Sequence, residues 1–309
     1  MQIYLPIAEI PVNIILILML GLIAGFLAGM FGIGGGFIAT PLLMFIGIPP
    51  AIAVSTSTNQ IIAASISGLL AQLRKGNVDI KMGMFLVVGG FIGSTIGISI
   101  FKILQKTGHI DLVIPVLYVI FLGSISITML IDTVRALAEK KYGVTWEKKP
   151  SSRLRRKLQT IENLPWKVYF PKSDITVSIF VPIIISTGIG ILVALMGVGG
   201  GFLMIPAMIY ILRMPSSIVV GTSLFQIVFI ASNATFLQAV TNHTVDIVLA
   251  FLMIISSAIG AQFGTRAGYK VDADSMRLSL SLLLLGVCVK MLFVLFAAPP
   301  SMYVVELLK

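Results

Sequence analysis

The sequence predicts an all-α integral membrane protein made of two inverted repeats, each a broken-helix hairpin at a glycine-rich motif plus three transmembrane helices. Three observations carry this. The 309 residues are 57% hydrophobic and 11% charged, against about 25% charged in a soluble domain. Such a chain has too little polar surface to face water and needs lipid around it. The cluster Gly32-Ile33-Gly34-Gly35-Gly36 returns as Gly197-Val198-Gly199-Gly200-Gly201. Corresponding loops of the two halves differ in basic content, which sets opposite orientations.

Apolar runs cover 10–30, 37–46, 51–73, 82–101 and 110–134, then 175–196, 202–212, 216–240, 247–267 and 276–297. Eight are near the length of about 20 residues that spans a bilayer as a helix. The two short ones, 37–46 and 202–212, each follow a glycine cluster. The first run has no basic segment before it, so it reads as a retained span and not a cleaved signal. The expected division is a first membrane repeat at 1–134, a basic cytoplasmic loop at 135–174 and a second repeat at 175–309.

The halves match in order. At an offset of 165, Gly32, Gly34, Gly35, Gly36, Phe37 and Pro41 fall on Gly197, Gly199, Gly200, Gly201, Phe202 and Pro206. At 166, Pro49, Thr56, Ser57, Gln60 and Gln72 fall on Pro215, Thr222, Ser223, Gln226 and Gln238. At 167, Val78-Asp79-Ile80 meets Val245-Asp246-Ile247, and Gly93 and Gly97 meet Gly260 and Gly264.

Charge orients the copies. Of the 22 basic residues, 11 lie between Arg135 and Lys172, which marks a cytoplasmic loop lying near anionic lipid. The net charge of +10 is therefore a membrane signature, and no nucleic-acid module interleaves aromatic and basic residues. The loop with Arg74, Lys75 and Lys81 is basic, whereas its counterpart at 241–246 has no Lys or Arg. Equivalent loops then lie on opposite sides, and both termini lie outside. Lys102 and Lys106 sit against this scheme, on the outer side.

The glycine clusters are the first candidate site. Glycine breaks an apolar helix, and broken backbone at membrane depth survives only in protein or beside a cavity. Paired interruptions of this kind mark a transporter site, where helix starts attract anions. Gly34, Gly35, Gly36, Gly199, Gly200 and Gly201 are the backbone candidates. The competing role is close helix packing, which fits Gly25 and Gly29. No Lys-Ser/Thr follows as in a Walker loop.

The polar run Ser55-Thr56-Ser57-Thr58-Asn59-Gln60 and its counterpart Thr222, Ser223 and Gln226 are the side-chain candidates, with Thr56, Ser57 and Gln60 foremost. Helix capping and interhelical bonding compete with that role. Asn59, Gln72, Asn233 and Gln238 stand second. So does Lys290, an ionisable residue inside an apolar run that can also snorkel to the interface. Asp79 and Asp246 precede spans, where a carboxylate favours the helix start. Cys288 reads as a buried hydrophobe. No metal-ligand spacing, cofactor motif or catalytic constellation is present, so the chain does not read as an enzyme.

These motifs, Gly-Xaa-Gly-Gly-Gly-Phe with Pro41 or Pro206 and the downstream Thr-Ser with Gln, resemble the TauE/SafE family of sulfite exporters (the TSUP family). The resemblance covers nearly the whole chain apart from the basic loop. It implies transport of small sulfur-containing anions, often outward across the bacterial inner membrane. It places binding at Gly34–Gly36, Gly199–Gly201, Thr56, Ser57, Gln60, Thr222, Ser223 and Gln226. Alternating access is the expected mechanism, with lipid around the protein, protons as a possible coupling ion and a homodimer possible. A passive anion channel, or a scaffold acting through the basic loop, are the alternatives. Ser55, Thr58 and Asn59 become Gly221, Leu224 and Phe225 in the second copy, so the site is expected to be only pseudo-symmetric.

Overall fold

The computed structural model describes residues 2–31, 36–142, 165–268 and 273–296. Gly34, Gly35 and the central basic segment 143–164 lie outside the described residues. The first copy comprises α1 (Ile14–Phe31), α2 (Gly36–Phe45), α3 (Pro50–Arg74), α4 (Ile80–Lys106) and α5 (Ile110–Tyr142). The second comprises α6 (Phe180–Met196), α7 (Gly201–Tyr210), α8 (Ser216–Leu237), α9 (Ile247–Gly268) and α10 (Ala273–Phe296). Each apolar run has become a helix, and the two short runs are the ten-residue helices α2 and α7.

Helices α1, α4, α5, α8, α9 and α10 are long and apolar enough to cross a membrane, and the protein is a multi-pass integral membrane protein. Helix α3 is less apolar because its first half carries the run from Ser55 to Gln60. Helix α6 has 17 residues, about 25 Å at 1.5 Å per residue. Large apolar side chains such as Ile15, Met84, Phe251 and Phe293 point outward, as lipid requires.

Two β-hairpins complete the fold and depart from a purely helical expectation. β1 (Gln2–Leu5) pairs with β2 (Ile10–Asn13), and β3 (Lys167–Phe170) pairs with β4 (Ile175–Ser178). They are copies of one unit: Leu5 faces Ile10, and Phe170 faces Ile175, at the same offset of 165. Both turns close through an acidic residue of positive φ, Glu9 (54°) and Asp174 (49°). Tyr169 donates to Asp174 at 2.8 Å, and that bond raises the phenol's ionisation above the ordinary tyrosine range. Residues 167–174, expected as part of the basic loop, thus form the entry to the second copy. The signal was the recurrence of Tyr4, Pro6, Ile10 and Val12 at 169, 171, 175 and 177, hidden by strands too short to form a recognisable run.

The copies are interleaved. α1 packs along α9, and α4 along α6. Glycines bring these backbones together: a Cβ at Gly25 or Gly29 would land on the carbonyls of Ser257 and Ala261, and one at Gly89 or Gly93 on those of Ile183 and Thr187. Numbers rise together along both contacts, so each pair is parallel. The equivalent helices α3 and α8 instead run antiparallel: Asn77 meets Gly221, while Ser55 meets Thr244 beyond the far end of α8.

At each end of that contact a buried aspartate joins the copies. Asp79 accepts from Met82 N at 3.0 Å, capping α4, and from Ser173 Oγ at 2.6 Å in the second hairpin. Asp246 accepts from Leu249 N at 3.1 Å, capping α9, and from Ile7 N at 3.0 Å in the first hairpin. The two carboxylates are 2% and 0% exposed, so these donors replace water that a buried charge would otherwise lose.

Replacing Asp246 by Ala is expected to cost about 2–4 kcal/mol, from the lost cap and the lost charge-assisted bond. Chemical unfolding in detergent micelles measures it; unchanged stability would remove the aspartate from this role.

Candidate functional site

The glycine turn of the second copy joins α6 to α7. Helix α6 ends at Gly197, whose φ of 66° is left-handed, and Gly199 and Gly200 follow at 81° and 72°. Three left-handed residues within four positions need glycine. The turn is also pressed from outside: a Cβ at Gly197 would meet the Val54 carbonyl at 2.7 Å and Ser57 Oγ at 3.0 Å, and one at Gly199 would meet Ile61 at 2.8 Å. Glycine therefore serves both conformation and close approach of α3 from the other copy. Gly201 N donates to the Gly199 carbonyl at 2.9 Å, so that amide is already occupied.

The two short helices start side by side. Gly36 opens α2 against the Gly197 carbonyl, and the rings of Phe37 and Phe202 stack at 5.2 Å and 11°. Both positive helix ends are thus brought to one buried place. Around it lies a cluster of hydroxyls. Thr40 Oγ1 and Ser57 Oγ share a hydrogen bond of 2.6 Å. Tyr118 of α5 lies beside Thr40 and donates to the Met196 carbonyl at 2.5 Å, at the end of α6. All three hydroxyl residues are 0–1% exposed. Thr40 and Tyr118 did not stand out in the sequence, because Thr40 is the single polar residue of the run 37–46 and Tyr118 has only apolar residues on either side; Ile205 occupies the place of Thr40 in the second copy.

The remaining side-chain candidates divide sharply. Thr56 Oγ1 accepts from Asp246 N at 3.3 Å, and Thr222 Oγ1 accepts from Asp79 N at 3.0 Å. These two threonines fasten the aspartate caps. Ser223 donates to the Val220 carbonyl at 2.9 Å within its own helix. Gln226 Nε2 donates to Ser186 Oγ at 2.7 Å, and Ser186 donates on to the Leu86 carbonyl. Gln60, its counterpart, is 0% exposed, and neither Nε2 nor Oε1 has a partner.

The second group lies apart from this cluster. Asn59 Nδ2 donates to the Ser55 carbonyl at 3.4 Å, and Asn233 Nδ2 to Ser94 Oγ at 2.8 Å. Gln72 accepts from Asn77 at 3.4 Å, and Gln238 from Asn242 at 2.6 Å, so each ties off a helix end. Lys290 is exposed on α10, its Nζ 4.3 Å from the Phe45 ring centroid. That is a cation resting on an aromatic face, less than two turns from the end of α10, as in snorkelling. Cys288 is buried and donates to the Val119 carbonyl at 3.6 Å.

A cleft of about 370 Å³ opens at the end of the bundle where α2, α4 and α8 finish. Its lining includes Gln105, Asp111, Asn242, His243 and Thr244. Thr244 Oγ1 shares a 2.7 Å hydrogen bond with Ser55 Oγ, so this pair closes the cleft on the side of the central helix α3.

A family model described as sulfite exporter TauE/SafE matches residues 17–291. A probable membrane transporter protein, YunE of Bacillus subtilis (strain 168), is 28% identical over 269 residues, covering 84% of this chain and 89% of that one. YjnA, another from the same organism with the same description, is 28% identical over 252 residues, covering 81% and 88%. Sulfite exporter TauE/SafE family protein 1 of Arabidopsis thaliana is 28% identical over 103 residues, 33% of this chain and 23% of that one. No solved structure matches significantly.

Tyr118→Phe leaves the buried Met196 carbonyl without its donor and is expected to cost about 1–3 kcal/mol. The midpoint of thermal unfolding in detergent should fall accordingly; an unshifted midpoint would show that the bond contributes nothing.

Proposed function

This chain belongs to the sulfite exporter TauE/SafE family of membrane transporters, and from that premise we propose that it exports small sulfur-containing anions, sulfite or a related organosulfur anion, by alternating access. The observation that carries the reading is the junction of the two short helices. Two positive helix ends meet there beside the hydroxyls of Thr40, Ser57 and Tyr118.

Such a place attracts an anion without offering a countercharge. Helices α1, α2 and α8 contain no ionisable side chain at all. An anion leaving water needs hydrogen-bond donors to offset its lost hydration. Neutral donors supply these, while a fixed buried cation would hold the ion more tightly and slow its release. Transport of this kind makes and breaks no covalent bond.

The proposed setting is the bacterial inner membrane, with the segment 143–164 cytoplasmic and the two copies inverted across the bilayer. On that orientation the cleft at Asn242–Thr244 faces outward. The Ser55–Thr244 contact is then the outer closure, and its parting opens the way out. Protons are the proposed coupling ion.

Purified protein in liposomes should move radiolabelled sulfite saturably, and against its gradient when energised. Flux that only dissipates a gradient would replace the carrier with a channel. In a Cys288→Ser background, Ser55→Cys with Thr244→Cys should stop flux on oxidation and recover it with a reductant. Undiminished flux through the cross-linked protein would sink this closure.

A further inference from the structure

The two matched glutamines are in different chemical states, and the sequence relation between the copies explains why. Gln226 on α8 gives its Nε2 to Ser186 of α6, so that only its Oε1 is unpaired. At the offset of 165 that relates α1 to α6, the place of Ser186 is taken in the first copy by Gly21. Glycine offers no hydroxyl. A side chain there would also have to displace Ser256 of α9, since a Cβ at Gly21 would fall on its Oγ. Ser256 itself donates to the Leu252 carbonyl at 2.8 Å. The first copy has therefore removed the partner that the second copy retains.

Gln60 is left fully buried with its donor and its acceptor both unpaired. An unpaired buried polar group costs about 1–3 kcal/mol, and an amide brings two. Exchanging the amide's O and N does not help, because neither end has a partner. Ser57, which touches the glycine turn, is one helical turn away on the same helix.

We infer that Gln60, and not its repeat counterpart Gln226, binds the transported anion, and that the bound species is an oxyanion carrying one proton. The assignment rests on the transport reading given above. Nε2 donates to a charged oxygen. Oε1 can only accept, so it needs an O–H on the same ligand. A fully deprotonated oxyanion would satisfy Nε2 and set a negative oxygen against Oε1. The monoprotonated form of sulfite offers both partners; sulfate and an alkylsulfonate near neutral pH offer no O–H.

The proton belongs to the ligand, and the ionisable groups on the elements around Gln60 are few. Helices α1, α2, α5, α8 and α9 pack against α3. Of these, α9 carries Arg266 in its last turn and Asp246 at its cap, where the Asp246 amide meets Thr56 about one turn before Gln60 and the carboxylate is taken by Leu249 N and Ile7 N; α5 carries Asp111, Tyr118, Asp132 and Arg135 among its described side chains. Arg74 ends α3 itself. The two histidines of the chain, His109 and His243, are exposed in loops at the cleft end.

The test is labelled-sulfite flux in liposomes, with sulfite-induced thermal stabilisation of the same proteins. Gln60→Leu should raise KM for sulfite roughly 10- to 100-fold, the equivalent of one bond to a charged group. Its unfolding midpoint without ligand should hold or rise, because an unpaired amide is gone. Gln226→Leu should do the opposite, lowering the midpoint while KM stays within about twofold. KM restated as monoprotonated sulfite should be constant with pH, in wild type and in the His109→Ala, His243→Ala double variant. Methanesulfonate and sulfate should compete poorly.

A transporting wild type matched by Gln60→Leu overturns the assignment alone. So does KM that is constant only when restated as the dianion, or methanesulfonate competing as well as sulfite does. A wild type with neither flux nor stabilisation overturns the transport reading, and the assignment falls with it.

Discussion

Each copy of this protein is finished by the other at a buried aspartate. Asp79 caps α4, receives Ser173 from the second hairpin, and has its own amide held by Thr222. Asp246 does the same for α9 with Ile7 and Thr56. A carboxylate without water is tolerable only when donors surround it, and here the donors come from both copies. Neither half can satisfy its aspartate alone. The antiparallel contact of α3 with α8 is pinned at both ends by this demand, and the described glycine turn, at Gly197–Gly200, rests on α3 between the pins.

The fold was largely legible because hydrophobic length and glycine spacing are local signals. All ten apolar runs are helices, and the offsets of 165 to 167 place α1 to α5 on α6 to α10. The roles of individual glycines were less legible. Gly25, Gly29, Gly89 and Gly93 serve backbone contact between parallel helices, while Gly197, Gly199 and Gly200 serve a left-handed turn. Both kinds look alike as letters, since the distinction lies in φ and in what stands opposite.

The site was less legible still, for a physical reason. A Thr in an apolar run signals only that a hydroxyl needs a partner; which partner it finds is decided by tertiary contact. Thr56 and Thr222 found backbone amides of the other copy, and so became fasteners of the fold. Thr40 found Ser57, and Tyr118 found the end of α6. Gln60 and Gln226 are the same residue at the same place in the repeat, yet Gly21 against Ser186 separates them. Recurrence pointed to the position; only the contact partner reveals its state.

That difference bears on what a doubled membrane protein needs. Perfect two-fold repetition would present the same donors from both sides, and would satisfy or expose both glutamines together. Satisfying both leaves a rigid core with no unmet polar group to recognise a solute. Exposing both doubles the cost of the empty state. Anchoring Gln226 to Ser186 through Nε2 leaves only its Oε1 unpaired, whereas Gln60 on α3 has both ends of its amide open. The hydroxyl of Thr40, whose place in the second copy is taken by Ile205, falls on the same side of that division. Asymmetry in the polar groups, laid over symmetry in the backbone, gives a solute one place to bind between two similar halves.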